Sequence, residues 1–215
     1  ARRVRALAVS QVEQYVEQGI MTARERDVLL TAITTRRNIL VVGGTGSGKT
    51  TLVNALIDTM MSTFPHLRMF IFEDTAEIQC RADNCVQYHT TVDVTMAKLL
   101  KISMRMRPDT ILVGEVRGPE ALDLLMAWNS GHEGGIATLH ANNARAGLSK
   151  LALYISMNQD YPKPIEPLIA EAVQVVVHIT RCADGRRVED ILEVQGYENG
   201  QYITRSLIEP KEHHQ

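Results

Sequence analysis

Ile39-Leu-Val-Val42-Gly43-Gly-Thr-Gly-Ser-Gly48-Lys49-Thr50-Thr51 is the stretch that decides the fold. Its first four residues are a short apolar run, the pattern of a strand buried on both faces. Gly43 to Thr50 fit G-x-x-x-x-G-K-S/T, and Leu52, Val53, Leu56 and Ile57 then give the apolar face of a helix. Strand, glycine loop and helix in that order form the context a phosphate-binding loop requires. The glycines let backbone N–H groups turn inward around a β-phosphate, and the helix N-terminus adds partial positive charge. Lys49 is placed to reach the β- and γ-phosphates, and Thr50 to give its hydroxyl to a Mg²⁺ ion bridging them. Gly43, Gly44, Thr45, Gly46, Ser47, Gly48, Lys49, Thr50 and Thr51 are therefore the expected nucleotide-binding residues, with ATP or ADP and Mg²⁺ as ligands.

Working outward, the same alternation of short apolar runs and helical periodicity continues. Strands are expected at Ile39 to Val42, Arg68 to Phe72, Thr110 to Val113 and Ile136 to Leu139. Helices are expected at Lys49 to Met61, Val94 to Met106, Pro119 to Asn129 and Asn143 to Met157. Apolar strands separated by helices argue for an α/β fold with a mainly parallel sheet covered on both sides. Two helices precede it: one with Val4, Leu7, Ala8, Val12, Tyr15 and Val16 on its apolar face, closed by Gly19, and one from about Thr22 to Thr35. Thr22 and Glu25 have capping-box spacing at the start of the second. The tail differs in kind. Val173 to Thr180, Val188 to Val194 and Tyr202 to Leu207, joined by turns with Gly185 and Gly200, predict an antiparallel β meander. Tyr161 to Pro167, with three prolines, reads as a stiff connector.

The chain has 215 residues, 45% hydrophobic and 22% charged, an ordinary globular composition that excludes disorder and coiled coil. Its net charge of -2 does not suit a dedicated nucleic-acid binder. No run approaches the about 18 apolar residues of a spanning helix, and the start lacks a signal-peptide core, so the expectation is a cytoplasmic protein. Cys80, Cys85 and Cys182 are read as free thiols. Cys80, Cys85 and His89 have zinc-compatible spacing but lack a fourth ligand. His132-Glu133 lacks the second histidine a zinc-protease helix needs, and Gly134 and Gly135 break the helix. The start at Ala1, without methionine, suggests an excised piece of a longer product.

Phosphoryl transfer needs a metal-side acid and a group that orients water, and in such sheets these stand at the carboxyl ends of strands. Glu115 ends Ile111-Leu-Val-Gly114-Glu115, although Gly114 holds the position where the usual Mg²⁺-side aspartate stands. Glu115 is assigned as the water-orienting base. Glu73 ends a second strand and is assigned a metal-water or second acidic contact, with Asp74 and Glu77 just after it. Both carboxylates are expected to meet Mg²⁺ through water. His140, in Gly131 to Asn143, ends a third strand, where an imidazole can sense a γ-phosphate, and Asn142 or Asn143 can cap the next helix. Arg105, Arg107 and Arg117 flank the Glu115 strand, either as phosphate or intersubunit contacts or as part of a solvated basic face with Lys98 and Lys101.

Gly43 to Thr50, Ile71 to Glu77, Met106 to Arg117 and Gly131 to Asn143 resemble, in order and spacing, the four signature boxes of the secretion ATPase superfamily of type II and type IV systems. In that family a glycine commonly takes the Walker B aspartate position, so Gly114-Glu115 is expected. Ala121 to Gly135 and Pro164 to Val173 are similar to the conjugative-transfer ATPases within it. The resemblance implies a RecA-like P-loop NTPase core at 38–215. It also implies a helical linker segment at 1–37, left from an N-terminal domain that closes over the nucleotide. It further implies a homo-hexamer working with other type IV secretion components at the inner membrane face, peripheral to the membrane. Lys49, Thr50, Glu73, Glu115 and His140 keep their roles under it, and Arg105 and Arg117 match arginines near the catalytic glutamate.

Three function classes follow. One is an ATP-hydrolysing motor subunit of a conjugative type IV secretion system, powering DNA or protein transfer or pilus assembly. Another is a RecA-like translocase stimulated by nucleic acid, suggested by Lys98, Lys101 and Arg105 and leaving direct nucleic-acid binding open. The third is a nucleotide-binding assembly scaffold.

Overall fold

The computed structural model describes residues 11–208. Two short helices, α1 (Gln11–Glu17) and α2 (Ala23–Thr34), lead into β1 (Ile39–Gly43) and α3 (Lys49–Thr63). β2 (Met69–Glu73), β3 (Cys85–His89), α4 (Met96–Ser103), β4 (Thr110–Val113), α5 (Ala121–Trp128), β5 (Ile136–His140) and α6 (Ala144–Ile155) follow. The chain then forms α7 (Glu166–Ala172), β6 (Val175–Cys182), β7 (Gly185–Glu198) and β8 (Gln201–Ser206). One eight-stranded sheet results, in the order β3-β2-β4-β5-β1-β6-β7-β8. The pairings from β3 through β6 are parallel, and β6, β7 and β8 pair antiparallel. The expected mainly parallel α/β sheet with a β meander is thus what forms. The meander extends the core sheet directly, because β6 is a parallel neighbour of β1.

β1 shows how the sheet is held. Leu40 and Val42 pack into one apolar layer with Phe70, Phe72, Ile111, Val113 and Trp128, beneath α4 to α7. Ile39 and Val41 enter the opposite layer with Leu52, Ile57, Leu29, Ile33 and Val12, beneath α1 to α3. Alternate residues of a strand point to opposite faces, so an all-apolar strand must be covered twice. The described part of the 1–37 segment, α1 and α2, therefore shares a core with α3 and the strands.

Local chemistry sets the ends of α2. The Thr22 hydroxyl accepts from Glu25 N–H at 3.2 Å while Glu25 Oε2 accepts from Thr22 N–H at 2.8 Å, the reciprocal box its sequence predicts. The first helix is seen from Gln11, and positions 4–10 of its expected apolar face lie outside the described residues.

Three elements differ from expectation. β3 is absent from the sequence reading: Cys85-Val-Gln-Tyr-His89 is an edge strand with partly exposed residues, and its mixed polarity hides the apolar run. α4 stops at Ser103 and tightens into a 3₁₀ turn at Met104–Met106, after which Arg107 takes a left-handed conformation. Pro108 forbids α geometry to the residue before it, which ends the longer helix expected to Met106. The connector expected at Tyr161 to Pro167 gives way to α7, since Pro167 sits in the first helical turn, where its missing N–H costs nothing.

Candidate active site

The parallel sheet brings three strand ends together. β1 and β5 pair so that Gly43 lies opposite His140, and β4 ends beside them at Glu115. The loop from Gly43 to Gly48 joins β1 to α3. Gly48 has φ 98°, a left-handed conformation that L side chains rarely adopt, and it provides no side-chain cap. The first N–H groups of α3, at Lys49, Thr50 and Thr51, are thereby left for an anion.

Lys49 is only 8% exposed. Its Nζ donates to the carbonyls of Gly43 (3.1 Å) and Gly44 (2.9 Å) and stands 3.3 Å from His140 Nδ1. Burial pulls its pKa below the ordinary lysine range, opposed by the charges of Glu115 and Glu77. On its other side His140 places Nε2 2.8 Å from Glu115 Oε1. Arg117 donates to Glu115 Oε2 at 2.5 Å, and its second nitrogen lies 3.7 Å from Asp74. The carboxylate raises the Arg117 pKa. Lys49, His140, Glu115, Arg117 and Asp74 thus form one run of alternating chemistry along the strand ends. Thr90 fixes its far end by donating to Asp74 at 2.7 Å.

Glu73 stands apart from this run. It is 2% exposed, and its Oε1 accepts from the N–H groups of Glu77 (3.0 Å) and Ile78 (2.8 Å). It braces the turn that follows β2 while also lining the cleft. The turn carries Glu77 over α3, where Glu77 Oε2 accepts from the Thr50 hydroxyl at 3.0 Å. Sequence reasoning gave Glu77 no role. Its signal was its position four residues after Glu73, with both on the cleft wall. Thr138 also went unassigned, and its hydroxyl donates to the Gly114 carbonyl.

These groups enclose a cavity of about 240 Å³ reaching from Thr45 and Gly46 across to Thr138. A hydroxyl and a carboxylate, Thr50 and Glu77, fit a Mg²⁺ ion that brings most of its oxygen ligands as phosphate and water. Among the described residues no group of three or more histidine, cysteine or acidic side chains is arranged to hold a metal ion by itself. The three cysteines are free.

Arg105 lies elsewhere. The 3₁₀ turn that holds it precedes β4, whereas Glu115 follows it, so the strand's length separates Arg105 from the cleft of its own chain. Arg107 lies at that same end. Lys101, on α4, is 3.5 Å from Asp123, which partly neutralises the basic face expected there.

A parallel sheet with a glycine loop feeding α3, and lysine, histidine and glutamate converging at the strand ends, defines a P-loop nucleotide-binding core of RecA-like kind. The chain belongs to the type II/IV secretion system protein family, whose model matches residues 3–210. It is 44% identical over 211 residues to the conjugal transfer protein TrbB of Rhizobium radiobacter, covering 98% of this chain and 64% of that protein. It is 46% identical over 204 residues to a probable TrbB of Sinorhizobium fredii, covering 95% of this chain and 62% of that one. The chain therefore spans a little under two thirds of these relatives. Among solved structures it is similar to the VirB11 ATPase of the Brucella suis type IV secretion system, solved with sulphate. The TM-score there is 0.74 and the identity 31%, over 89% of this chain and 59% of that one. The pilus retraction motor PilT with bound ADP, at 23% identity and TM-score 0.60, shares the fold. Among the described residues no helix is long and apolar enough to cross a membrane.

Proposed function

We propose that this chain is the nucleotide-hydrolysing core of a secretion motor, converting ATP and water to ADP and phosphate. The contact of Lys49 and Glu115 with the two nitrogens of one imidazole, His140, carries the reading. A γ-phosphate entering the loop takes Lys49 away from the Gly43 and Gly44 carbonyls, because a charged oxygen is the stronger acceptor. His140, held between lysine and glutamate, registers that movement. Glu115 orients the attacking water and accepts its proton as the bond from γ-phosphorus to the bridging oxygen breaks. Arg117 holds Glu115 in place through its hydrogen bond to Oε2. Thr50 with Glu77, and Glu73 and Glu115 behind them, would hold a Mg²⁺ ion, which would supply positive charge to the phosphates.

Within the family, the likeness to TrbB and VirB11 supports a conjugative type IV secretion role, as a homo-hexamer at the cytoplasmic side of the inner membrane. Residues 38–215 are then the ATPase domain and 1–37 the linker from a preceding domain. Arg105, distant from its own cleft, is assigned to a neighbouring subunit's site.

The deciding experiment is steady-state phosphate release at saturating Mg-ATP for this chain and its Glu115→Gln variant. Turnover in the wild type that is lost in the variant is the expected result. Equal turnover in both moves the base away from Glu115.

A further inference from the structure

A second cleft adjoins the phosphate loop. It measures about 480 Å³ and is walled by Gln18 and Ile20 of the α1–α2 connection and by Arg181 and Arg186 at the β6–β7 turn. Gly46 borders both this cleft and the cavity that holds Thr50, Glu77 and Glu115. A nucleotide with its terminal phosphate on the Glu115 side must therefore direct its nucleoside end over Gly46 into the second cleft.

The charges there point the same way. Arg181 and Arg186 are direct cross-strand partners, both exposed. Like charges facing each other across a pair of strands destabilise it. The neighbouring Arg187 lies 3.6 Å from Glu189, whereas among the described residues neither Arg181 nor Arg186 has a carboxylate within ion-pair distance. Asp184 lines the cleft at the turn's tip without pairing with either. Arg186 also reaches the loop itself, since a Cβ on Gly48 would stand 2.7 Å from its Cδ and 3.0 Å from its Nε. An anion entering over Gly46 meets two uncompensated guanidinium groups.

We propose that Arg181 and Arg186 clamp the nucleoside end of the bound nucleotide, taking its α-phosphate, and so let the ligand bridge the core to the linker. The proposal rests on the nucleotide-binding reading above. The linker side is firmly attached: Val188 N–H donates to the Ile20 carbonyl at 2.8 Å, and Arg186 lies within electrostatic reach of the buried Tyr15 hydroxyl. Occupancy at the loop is thereby felt at α1, which packs in the same apolar layer as α3.

The test is calorimetric binding of ADP and of inorganic phosphate to the wild type, Arg181→Ala, Arg186→Ala, Arg186→Lys and Lys49→Ala. Arg181→Ala and Arg186→Ala are expected to weaken ADP by about tenfold each, the loss of a charge-assisted contact, with Arg186→Lys recovering part. Inorganic phosphate, which fills a single phosphate position of the loop and has neither α-phosphate nor nucleoside, is expected to bind both alanine variants within about twofold of wild type. The atoms nearest a Cβ on Gly48 all belong to Arg186, so the Arg181 variant separates ligand contact from support of Gly48. ADP affinity unchanged in both alanine variants, while Lys49→Ala still abolishes it, overturns the clamp and leaves the nucleotide reading standing. Parallel loss of ADP and inorganic phosphate overturns it as well, by showing that the arginines only prop the loop. A wild type that binds no ADP overturns the nucleotide reading itself.

Discussion

Glu73 fills the space that a side chain at position 114 would need. A Cβ on Gly114 would stand 2.8 Å from Glu73 Cγ and 3.2 Å from its Oε1. The glycine just after β4 is thus coupled to a buried glutamate at the end of β2. Gly114→Ala should cost about 1–3 kcal/mol, the range for forcing extra volume into a packed site. Gly114→Asp should cost more, because it adds a second carboxylate beside the first. Urea unfolding of Gly114→Ala, Glu73→Ala and the double variant checks this. The double variant should be more stable than the sum of the two losses predicts, and strict additivity would sever the coupling.

The two acids of the β2 turn should separate in their effects. Glu73 accepts two backbone N–H groups, so Glu73→Gln should lower folding stability by about 1–3 kcal/mol, the cost of leaving a buried donor poorly met. Glu77 faces the Thr50 hydroxyl, so Glu77→Gln should leave stability nearly unchanged and raise the Mg²⁺ concentration needed for half-maximal phosphate release. Chelation of the metal should stop turnover in every variant. Titrating Mg²⁺ at fixed ATP, beside thermal melts, reads both effects. A higher Mg²⁺ requirement in Glu73→Gln alone would reverse the assignment.

His140 stands between Lys49 and Glu115, to which the proposed mechanism assigns the phosphate and the attacking water. Removing the imidazole should therefore spare binding and impair the chemical step. His140→Ala should bind ADP within about threefold of wild type while single-turnover phosphate release falls about 10²-fold or more, the usual weight of a positioned acid–base partner. A proportionate loss in ADP binding would make His140 a loop support instead.

Much of this arrangement was legible in the sequence because the parallel strands are apolar on both faces and the loop motif names its own context. Lys49 was placed by the loop motif, and His140 and Glu115 by their positions at strand ends, and the register that sets Gly43 opposite His140 brings them into contact. What the sequence hid is long-range. Nothing local shows that Glu73 turns inward, since its two partners are backbone groups four and five residues on. Glu77 gains its position only through that turn. β3 escaped notice because an edge strand needs no continuous apolar run. The Arg181–Arg186 pairing required the register of a hairpin, which spacing around Gly185 suggests but does not fix.

Arg37, between α2 and β1, ties the segment before β1 to the meander through Glu193. Glu193 Oε1 lies 2.7 Å from Arg37 and Oε2 2.8 Å from Arg205, with the side chain 12% exposed. The hydrogen bond from Arg37 holds the Glu193 carboxyl below the ordinary glutamate range. A depressed folded-state pKa means that the unfolded chain binds the proton more readily. The stability Glu193 contributes is then fully present above about pH 4.3, the unfolded value, and is lost as pH falls through the lower folded value. Glu193→Gln should therefore be less stable than wild type at neutral pH, and the gap should close on acidification. Urea midpoints of both proteins between about pH 7 and pH 3 measure it. Two curves that run parallel to the acid end would show that Arg37 and Glu193 contribute packing alone, with the linker held by α2 and not by charge.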